Sequence, residues 1–504
     1  MTNNQHKQLA ELLYPNITQT VEDIVKSSPY PRGKYPALRI APSPTGFLHL
    51  GSVGMALCDY MLARNLGGKC YIRIEDTDQK REVENAAQLT LETFKNYGIT
   101  FDNEPIYQSQ RVPLYHAFAK RLVEQGLAYP CFCTEHDLTA MRETQEKQKI
   151  ATGYWGPYAK CRDLTLAQVK ANVEKGLPWT LRANLQSKTE RITWRDMIRG
   201  EMSLPAIQNN PVIVKSNGVP PYNLACMVDD ILMGVTYVVR GEEWIASAAE
   251  HIQLYAAMGF PHPHYAHMPV ICVEENGNKR KLSKRKDREA VAQNFLNDGY
   301  PADAVIEYLL TIYNTDFELW RIANPNAPWR EFNFRFEKIG CNSMLFDWAK
   351  LNNISQNYIA KLTCEQVNAE VEKYFNKKIP PFVKGVAPQS GDGGFLSKSD
   401  LQKVFTVLAV DRGTERPRKD ISKYGDILTE FDYLFKPTNQ TPLLKKYAAL
   451  IKNVNDRDAW FVLVKEKATE FGFKNVREFT QAVRVDLTGR ERSTDLFTIS
   501  KIML

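Results

Sequence analysis

The sequence lacks any apolar stretch long enough to cross a membrane. No run of about 18 apolar residues occurs among its 504 residues, so no transmembrane helix is expected. The first 34 residues have no basic flank followed by a long apolar core, which argues against a secretory signal. They are not rich in arginine and contain Glu11, Glu22 and Asp23, which argues against a mitochondrial transit peptide. We therefore expect a globular protein of the cytoplasm that has no membrane partner.

Cysteine is also scarce, and no segment is repeated or of low complexity. Nine cysteines in a chain of this length do not form the pattern of a disulfide framework, which favours a reducing compartment. The net charge of +7 is mild and is concentrated in the last quarter of the chain. It is compatible with a polyanionic partner and equally with an ordinary solvated surface. The length predicts about three to five domains.

The segment from residue 37 to residue 97 alternates between predicted strands and helices. We predict strands over 38–40 and 71–74, and between them a helix over 53–65 that is apolar on nearly all sides. A second helix is expected to end at Gly98, and its predicted buried face consists of Val83, Ala87, Leu91 and Phe94. Strands that alternate with helices of this length indicate a parallel sheet.

A second block of strand and helix patterns begins after residue 210. A strand over 212–214 and the residues after 219 flank Asn217-Gly218, a dipeptide typical of a hairpin turn. A β-branched strand over 234–239 and a helix over 246–258 follow. We interpret the mixed region between the blocks, roughly 110–210, as an insertion. Beyond residue 346 the pattern is mostly helical, with a predicted linker rich in Gly, Ser and Pro over 383–399.

The segment RIAPSPTGFLHLGS, residues 39–52, connects the first predicted strand to the first predicted helix. Two prolines and a glycine stiffen this loop. The N-terminus of the following helix offers free N–H groups and the positive end of a dipole, which suit a phosphate. His49, just before the helix, can donate a hydrogen bond to the same phosphate. A lone His-x-Gly is weak evidence, but its strand–turn–helix context is the one that a nucleotide site requires.

The segment KRKLSKRK, residues 279–286, is strongly basic. Taken alone, it is best interpreted as an exposed basic loop. The alternative is a mobile cationic loop that neutralises a triphosphate.

Taken together, the two segments resemble the paired HIGH and KMSKS elements of class I aminoacyl-tRNA synthetases. Five further words narrow the resemblance to the bacterial glutamyl-tRNA synthetases: RIAPSPTG from residue 39, RIEDTD from 73, VRGEE from 239, FDWAKL from 346 and VDLTGR from 485. The resemblance extends from about residue 37 to the C-terminus. The opening LLYPNIT, from residue 12, looks like an N-terminal arm found in one branch of this family.

The resemblance implies an α/β fold, in which a Rossmann-type parallel sheet with an α/β insertion is followed by an all-helical anticodon-binding region. The implied organisation has five parts and a monomeric chain. These parts are an N-terminal arm over 1–34, a catalytic domain over 35–115 and 210–265, an inserted acceptor-end-binding domain over 116–209, a stem-contact junction with the KMSKS-like loop over 266–345, and helical anticodon-binding domains over 346–504.

The implied reaction is the ATP-dependent attachment of L-glutamate to the 3′-terminal adenosine of tRNA-Glu through a glutamyl-adenylate, with Mg²⁺ expected beside the triphosphate. His49 and Lys284 would be the catalytic residues, at the phosphates and at the negative charge that develops. In the second step the terminal 2′-hydroxyl attacks the mixed anhydride, which needs no protein nucleophile. By resemblance, the ATP-binding residues are Pro42, Thr45, Gly46, His49, Gly51, Lys281, Ser283, Lys284 and Arg285.

Glutamate carries two carboxylates and one ammonium, so a selective pocket needs two cations and one anion at fixed places. The resemblance assigns Arg39 to the side-chain carboxylate, Arg240 to the other carboxylate and Glu75 to the ammonium. Further pocket positions are, by the same resemblance, Ala41, Ser43 and Tyr222.

Cys131, Cys133 and Cys161 have a spacing that could bind a structural zinc ion. Some members of the family carry zinc in the insertion, but their pattern often ends in Cys-x-His, whereas Arg162-Asp163 follows the third cysteine here. Tyr154 and Tyr158 are both possible fourth ligands. The alternative is three buried thiols without a metal.

Four other functions fit parts of the sequence. A glutaminyl-tRNA synthetase shares the fold, but its first motif usually reads PEPNG where this chain has PSPTG. A tRNA-modifying glutamyl-queuosine enzyme resembles only the catalytic half. A nucleotidyltransferase that makes a small adenylate and never binds RNA is disfavoured by the insertion and the basic C-terminal region. A non-enzymatic RNA-binding relative is disfavoured by the intact His49, Lys284, Arg39 and Arg240.

Overall fold

The computed structural model describes residues 1–78, 83–185, 187, 189–376, 396–439 and 441–504. It divides into two compact units, of which the first comprises Met1–Ala292 with Leu309–Phe346 and the second Gln293–Tyr308 with Asp347–Leu504. The second unit therefore includes a segment, residues 293–308, that the sequence-based boundaries placed in the junction. Most of the predicted linker over 383–399 lies outside the described residues.

The first unit contains all the strands of the described chain. They are β1 Ala37–Ile40, β2 Lys69–Ile74, β3 Ile106–Tyr107, β4 Ala128–Cys131, β5 Thr180–Ala183, β6 Arg191–Asp196, β7 Gly200–Pro205, β8 Val212–Val214, β9 Tyr237–Gly241, β10 His264–Met268, β11 Ile271–Glu275, β12 Asn278–Lys281 and β13 Met344–Leu345. Its helices are α1 Asn3–Leu13, α2 Val21–Ser27, α3 Leu50–Asn65, α4 Ala86–Asn96, α5 Val112–Glu124, α6 Glu135–Lys147, α7 Leu166–Glu174, α8 Tyr222–Leu232, α9 Ala248–Ala257 and α12 Thr315–Ala323.

The predicted parallel sheet is confirmed. Strand β2 pairs in parallel with β1 and β3, and β10 pairs in parallel with β9 and β6. Strand β1 lies beside β9, where the N–H of Thr236 donates to Ala37 O at 2.9 Å. All four residues of β1 are buried, as expected for a parallel strand covered on both faces. The carboxyl ends of β1, β2 and β9 carry the residues of the candidate site.

Helix α3 follows β1 and is buried on nearly every side, as its apolar sequence predicts. It begins three residues before the predicted start at 53 and ends at Asn65, ahead of Gly67, whose φ of 63° favours glycine. Gly54 lies against the ring of Tyr313, where an added Cβ would come within 2.4 Å of ring carbon. The helix therefore packs closely on α11, Ala302–Tyr313, at this point.

The predicted face of α4 and the predicted hairpin are both wrong in detail. The buried side of α4 is formed by Ala86, Thr90, Thr93 and Phe94, and Val83 precedes the helix and is exposed. The turn at Asn217-Gly218 does form, since the N–H of Lys215 donates to Val219 O at 3.0 Å. No second strand follows it, because Pro220 and Pro221 lack N–H donors and α8 begins at once.

Strands cross the predicted boundaries of the insertion in both directions. Strand β8, assigned from sequence to the catalytic part, pairs with β5 in a separate three-stranded sheet of order β4-β5-β8. The β6–β7 hairpin, assigned to the insertion, instead joins β10 of the parallel sheet. The sequence could not distinguish these partners, because strand pairing depends on residues far apart in the chain.

The N-terminal arm packs on the first unit. Helix α1 contacts α5 and α7, and α2 contacts α5 and α8. Lys120 of α5 donates to Ile17 O at 2.7 Å and forms an ion pair with Glu11 at 2.7 Å. Apolar residues of the arm belong to the same core as α5 and α8, among them Leu9, Ala10, Leu13, Val21 and Ile24.

The second unit contains helices and no strand among its described residues. Its helices are α10 Ala292–Asp298, the first part of α11, α13 Trp348–Lys361, α14 Cys364–Asn376, α15 Lys398–Leu408, α16 Ile427–Glu430, α17 Pro442–Ile451, α18 Arg457–Lys467, α19 Val476–Thr488 and α20 Leu496–Met503. They enclose one apolar core that includes Val367, Val404, Ile427, Tyr447, Phe479 and Ile499. Among the helices that are described in either unit, none is long and apolar enough to cross a membrane.

Candidate active site

The loop between β1 and α3 contains five predicted substrate contacts: Ala41, Pro42, Ser43, Thr45 and Gly46. It lies against the end of β2, where the N–H of Glu75 donates to Pro42 O at 3.0 Å. The N–H of Thr45 donates to Ser43 O at 2.8 Å and tightens the turn. Gly46 has a φ of 113°, a conformation that side chains rarely adopt. The loop is thus a compact turn at the carboxyl edge of the sheet.

His49 is the N-cap of α3. Its Nδ1 accepts the N–H of Gly51 at 2.9 Å, so the proton of the neutral ring is on Nε2, which donates to Leu282 O at 3.1 Å. Burial lowers the pKa of His49, and Lys284 and Lys281 lower it further, which keeps the ring neutral. Contact between Nε2 and a phosphate therefore requires release of the Leu282 carbonyl.

The basic loop from residue 281 to residue 285 follows β12, which pairs antiparallel with β11. Leu282 is buried, and Lys284 donates from Nζ to Phe47 O at 2.8 Å. Partial burial lowers the pKa of Lys284. Lys281 forms an ion pair with Glu243 at 2.8 Å, and Arg285 is exposed. The structure therefore brings this loop against the first one, as the pairing of the two motifs predicted.

Asp287 holds the same loop from its far end. Both terminal nitrogens of Arg280 donate to its carboxylate at 2.8 Å, and the N–H of Ser283 donates to it at 2.7 Å. These hydrogen bonds lower the pKa of Asp287, with Arg280 the largest cause. Sequence reasoning did not identify this carboxylate.

Arg39 is buried at the end of β1 and already has a carboxylate partner. Its Nε donates to Asp230 Oδ1 at 3.1 Å, and Nη2 lies 3.7 Å from the sulfur of Cys226. Burial raises and the two arginines Arg39 and Arg73 lower the pKa of Asp230, and the net shift is downward. Asp230 is therefore an anion inside the pocket.

Arg73 is fully buried and connects three carboxylates, and the sequence analysis assigned it no role. Its Nη1 donates to Asp230 at 2.7 Å and its Nη2 to Glu75 at 3.0 Å. Its Nε lies 3.8 Å from Asp229. Burial raises the pKa of Glu75 more than Arg73 and Arg39 lower it. No local pattern in the sequence links these charged residues, which lie at the ends of β1, β2 and α8.

Asp229 ties the start of the insertion to this network. Its carboxylate accepts hydrogen bonds from Arg111 Nε at 2.6 Å, Tyr115 Oη at 2.7 Å and Gln108 Nε2 at 3.0 Å. All three donors lie where the chain leaves the parallel sheet for the insertion. Arg73 and this junction thus share one buried carboxylate.

Arg240 is buried at the end of β9, and its contacts differ from those of Arg39. Its Nε donates to His267 Nε2 at 3.0 Å and its Nη1 to His251 Nδ1 at 3.1 Å. Nη2 is buried without a hydrogen-bond partner among the described residues. The guanidinium carbon lies 4.8 Å from the centroid of the Tyr265 ring.

Tyr222 is the first residue of α8. Its ring packs on Trp244 at 4.6 Å and on His251 at 5.8 Å between centroids. Burial raises its pKa, Glu75 raises it further, and Arg39 and Arg240 lower it. Contacts connect the predicted glutamate-binding residues in two groups: Arg39 and Glu75 are joined through Asp230 and Arg73. Tyr222 packs on His251, which accepts a hydrogen bond from Arg240.

The three predicted zinc ligands form a separate cluster. The sulfurs of Cys131, Cys133 and Cys161 all lie within 4.8 Å of one another. The hydroxyl of Tyr154 lies 3.3 Å from the sulfur of Cys133. Hydrogen bonds from Cys133 and Cys161 lower the pKa of Cys131. Of the two candidate tyrosines, Tyr158 instead donates to Gln148 at 2.6 Å, so Tyr154 is the one in the cluster.

Comparison with known proteins agrees with this geometry. Residues 37–338 match the family described as tRNA synthetases class I (E and Q), catalytic domain. The chain is 37% identical to a glutamate–tRNA ligase of Clostridium perfringens (strain 13 / Type A), over 99% of this chain and 98% of that protein. It is 36% identical to a glutamate–tRNA ligase of Clostridium beijerinckii, over 99% of this chain and 97% of that protein.

Among solved structures, a glutamate tRNA ligase of Elizabethkingia meningosepticum in complex with its amino acid superposes with a TM-score of 0.75. The two chains are 23% identical over 94% of this chain and 97% of that one, so this likeness shows the fold alone. The family match and the full-length relatives show the family as well as the fold. The chain belongs to the class I tRNA synthetases for glutamate and glutamine.

Proposed function

We propose that this chain attaches L-glutamate to the 3′-terminal adenosine of tRNA-Glu, using ATP and passing through a glutamyl-adenylate. The observation that carries the proposal is a set of contacts that joins Arg39 to Glu75 through Asp230 and Arg73, and Tyr222 to Arg240 through His251. The N–H of Glu75 donates to Pro42 O in the loop that leads to His49. The full-length similarity to enzymes named glutamate–tRNA ligase supports the same substrate. It also argues against an enzyme built from the catalytic half alone.

Selection of glutamate follows from the charges of the pocket. Arg39 binds the side-chain carboxylate and Arg240 the other carboxylate, while Glu75 holds the ammonium. Ala41, Ser43 and Tyr222 complete the walls. Arg39 is already paired with Asp230, so its interaction with substrate adds a second anion to a shared cation. Removing one partner of such a buried pair costs about 2–5 kcal/mol.

Activation of glutamate takes place between the two loops. The α-carboxylate of glutamate attacks the α-phosphorus of ATP, and pyrophosphate leaves. His49 donates from Nε2 to the phosphates, and Lys284 follows the charge that moves onto the leaving group. Pro42, Thr45, Gly46, Gly51, Lys281, Ser283 and Arg285 form the rest of the nucleotide site. Mg²⁺, when bound with ATP, supplies positive charge to the triphosphate.

The tRNA occupies the remaining regions. We assign the acceptor end to the insertion over 116–209, the stem to the junction over 266–345, and the anticodon to the helical region over 346–504. The all-helical character of the described residues beyond 346 supports the glutamyl assignment over a β-barrel anticodon domain of the glutaminyl type. We expect the enzyme to act as a monomer in the cytoplasm.

The cysteine cluster fits a structural zinc ion. Ligands about 2.3 Å from a tetrahedral zinc lie roughly 3.8 Å apart, and the sulfurs of Cys133 and Cys161 are 3.7 Å apart. Cys131, Cys133 and Cys161 would supply thiolates and Tyr154 the fourth ligand. Zinc there would join β4 to the segment around Cys161 and stiffen the insertion.

An aminoacylation assay tests the function. Purified chain would be offered tRNA-Glu or tRNA-Gln transcripts, each with radiolabelled glutamate or glutamine. We expect glutamate to be attached to tRNA-Glu, and glutamine to neither tRNA. Attachment of glutamine to tRNA-Gln in place of glutamate would overturn the assignment.

A further inference from the structure

Arg240 differs from the other buried arginines of the pocket in the chemistry of its partners. Arg39 and Arg73 both donate to the carboxylate of Asp230. Arg240 donates instead to two imidazole nitrogens, those of His251 and His267. Because a nitrogen that accepts a hydrogen bond is unprotonated, both imidazoles are neutral at these atoms. The charge of Arg240 therefore has no direct counter-ion in these contacts.

The proton of His267 is held on its other nitrogen by a buried carboxylate. Nδ1 lies 2.5 Å from Asp196 Oδ2, so it donates there and leaves Nε2 as the acceptor for Arg240. The Asp196 carboxylate is itself fixed by the N–H groups of Ile198 at 3.0 Å and Arg199 at 3.1 Å. The orientation of the imidazole is thus determined from the β6–β7 turn.

His251 is fixed in the opposite sense. Its Nδ1 accepts from Arg240, so the proton is on Nε2, which donates to Asn223 Oδ1 at 3.1 Å. Asn223 in turn donates to Glu250 Oε1 at 2.5 Å. Burial, and next the charge of Arg240, lower the pKa of His251 to about 3, so the ring stays neutral in the physiological range.

These contacts leave both N–H groups of Nη2 and one N–H group of Nη1 without a histidine partner. Of its five N–H groups, one on Nε and one on Nη1 are used by the histidines, and Nη2 is buried without a partner among the described residues. Two parallel N–H groups on one edge match the two oxygens of a carboxylate. An amide or hydroxyl in that position would leave the buried charge unpaired.

We propose that His251 and His267 are positioning residues that orient Arg240 through neutral nitrogens and so keep its charge uncompensated for a substrate carboxylate. This inference rests on the proposed function. Arg39 contributes a shared, already paired cation, and Arg240 contributes an unshared one. Carboxylate recognition then depends on the acceptor atom that each histidine presents, more than on the ring itself.

Substitution by asparagine or glutamine distinguishes a role of the acceptor atom from a role of the imidazole ring. The two amides lie at different distances from the backbone. The amide of asparagine occupies about the place of Nδ1, and that of glutamine about the place of Nε2. At position 267 the acceptor for Arg240 is Nε2, so H267Q keeps it and H267N loses it. At position 251 the acceptor is Nδ1, so H251N keeps it and H251Q loses it.

The experiment measures KM for glutamate, ATP and tRNA-Glu in aminoacylation, and Kd for glutamate by calorimetry, for the four variants. We expect H267N and H251Q to raise the glutamate constants about tenfold or more, with the ATP and tRNA constants within about twofold. H267Q and H251N should stay within about threefold of the unmodified chain. His264→Asn, on the same strand but exposed, is the matched control, and thermal unfolding checks that each variant is folded.

The pattern is decisive because it is inverted between the two positions. A merely structural role would favour the same amide at both positions or lower kcat and all three affinities together, and either result would overturn the proposal. Calorimetry keeps this decision independent of turnover. A chain that binds glutamate with the inverted pattern but does not charge tRNA-Glu would support the proposal and overturn the proposed function.

Discussion

The proposed amino-acid pocket and the basic loop both contain ion pairs. The pairs of the pocket are buried, and the pair at the loop is exposed. Arg39, Arg73 and Asp230 are buried where β1 and β2 meet α8, and an unpaired charge there would cost several kcal/mol. Lys281 and Glu243 are paired on the surface, each with about half of its side chain exposed. Exposed pairs of this kind contribute about 0–1 kcal/mol. The charges that we assign to glutamate recognition are therefore costly to separate, whereas the ion pair at the basic loop is exposed and easily separated.

The largest effect is expected from removing one partner of the buried ion pair between Arg39 and Asp230. Arg39→Leu leaves Asp230 with one fewer partner and the substrate side chain with none. The glutamate KM should rise by the equivalent of about 2–5 kcal/mol, and the ATP KM should change little. Steady-state kinetics with each substrate varied would measure both.

Arg64→Leu is the control for Arg39→Leu, because Arg64 is partly exposed and paired with Asp102 outside the pocket. Its kinetic constants should remain near those of the unmodified chain. An equal rise in both KM values for the Arg39 variant would show that the pocket is misassigned.

A substitution in the exposed basic loop should change the adenylation rate more than the affinity for ATP. Lys284→Ala removes the ammonium that donates to Phe47 O and that we place on the departing pyrophosphate. The adenylation rate should fall by about 10²–10³, with a modest loss of ATP affinity. Single-turnover pyrophosphate release would measure this, with the exposed neighbour Lys286→Ala as control. A large loss of ATP affinity at an unchanged rate would contradict the transition-state role.

The cysteine cluster allows a smaller test outside both regions. Cys133→Ser should abolish binding of one zinc ion per chain and lower Tm by a few degrees. Elemental analysis and thermal unfolding would measure these effects. Cys364→Ser, at an exposed cysteine, should change neither. A full zinc content in the Cys133 variant would show that the metal lies elsewhere.

The smallest effect concerns pH. Burial raises the pKa of Glu75, so its ionised fraction falls at a higher pH than for an ordinary glutamate. Because we assign the substrate ammonium to this anion, the glutamate KM should rise as pH falls, and the rise should begin at a higher pH than an ordinary glutamate would give. Glu75→Gln should bind glutamate weakly and with little dependence on pH. A dependence that is identical in both proteins would assign the titration to another group.

Local patterns in the sequence predicted the elements that carry the motifs. Helix α3 and strand β1 have apolar sequences that need only be buried, and both formed as predicted. The two loops could be paired because together they resemble the HIGH and KMSKS elements of class I aminoacyl-tRNA synthetases. The face of α4 was predicted wrongly, because its buried positions include Thr90 and Thr93, which the apolar pattern does not reveal.

The polar network behind the pocket could not be read from the sequence. Arg73, Asp229 and Asp230 belong to β2 and α8, about 150 residues apart in the chain, and no local pattern links them. His251 and His267 look like ordinary core residues until their partners are known. The sheets to which β6–β7 and β8 belong could not be predicted for the same reason. Only the tertiary structure determines which strands are adjacent.

The position of β1 beside β9 has a consequence for biosynthesis. Ala37 leaves the ribosome early, but the backbone group that binds it belongs to Thr236, 199 residues later. Strand β2 is synthesised soon after β1, but at about 5–20 residues per second β1 waits roughly 10–40 s for β9 on its other side. During that interval its apolar residues, and those of α3, are exposed to other nascent chains. The first third of this protein is therefore the part that we expect a ribosome-associated chaperone to protect.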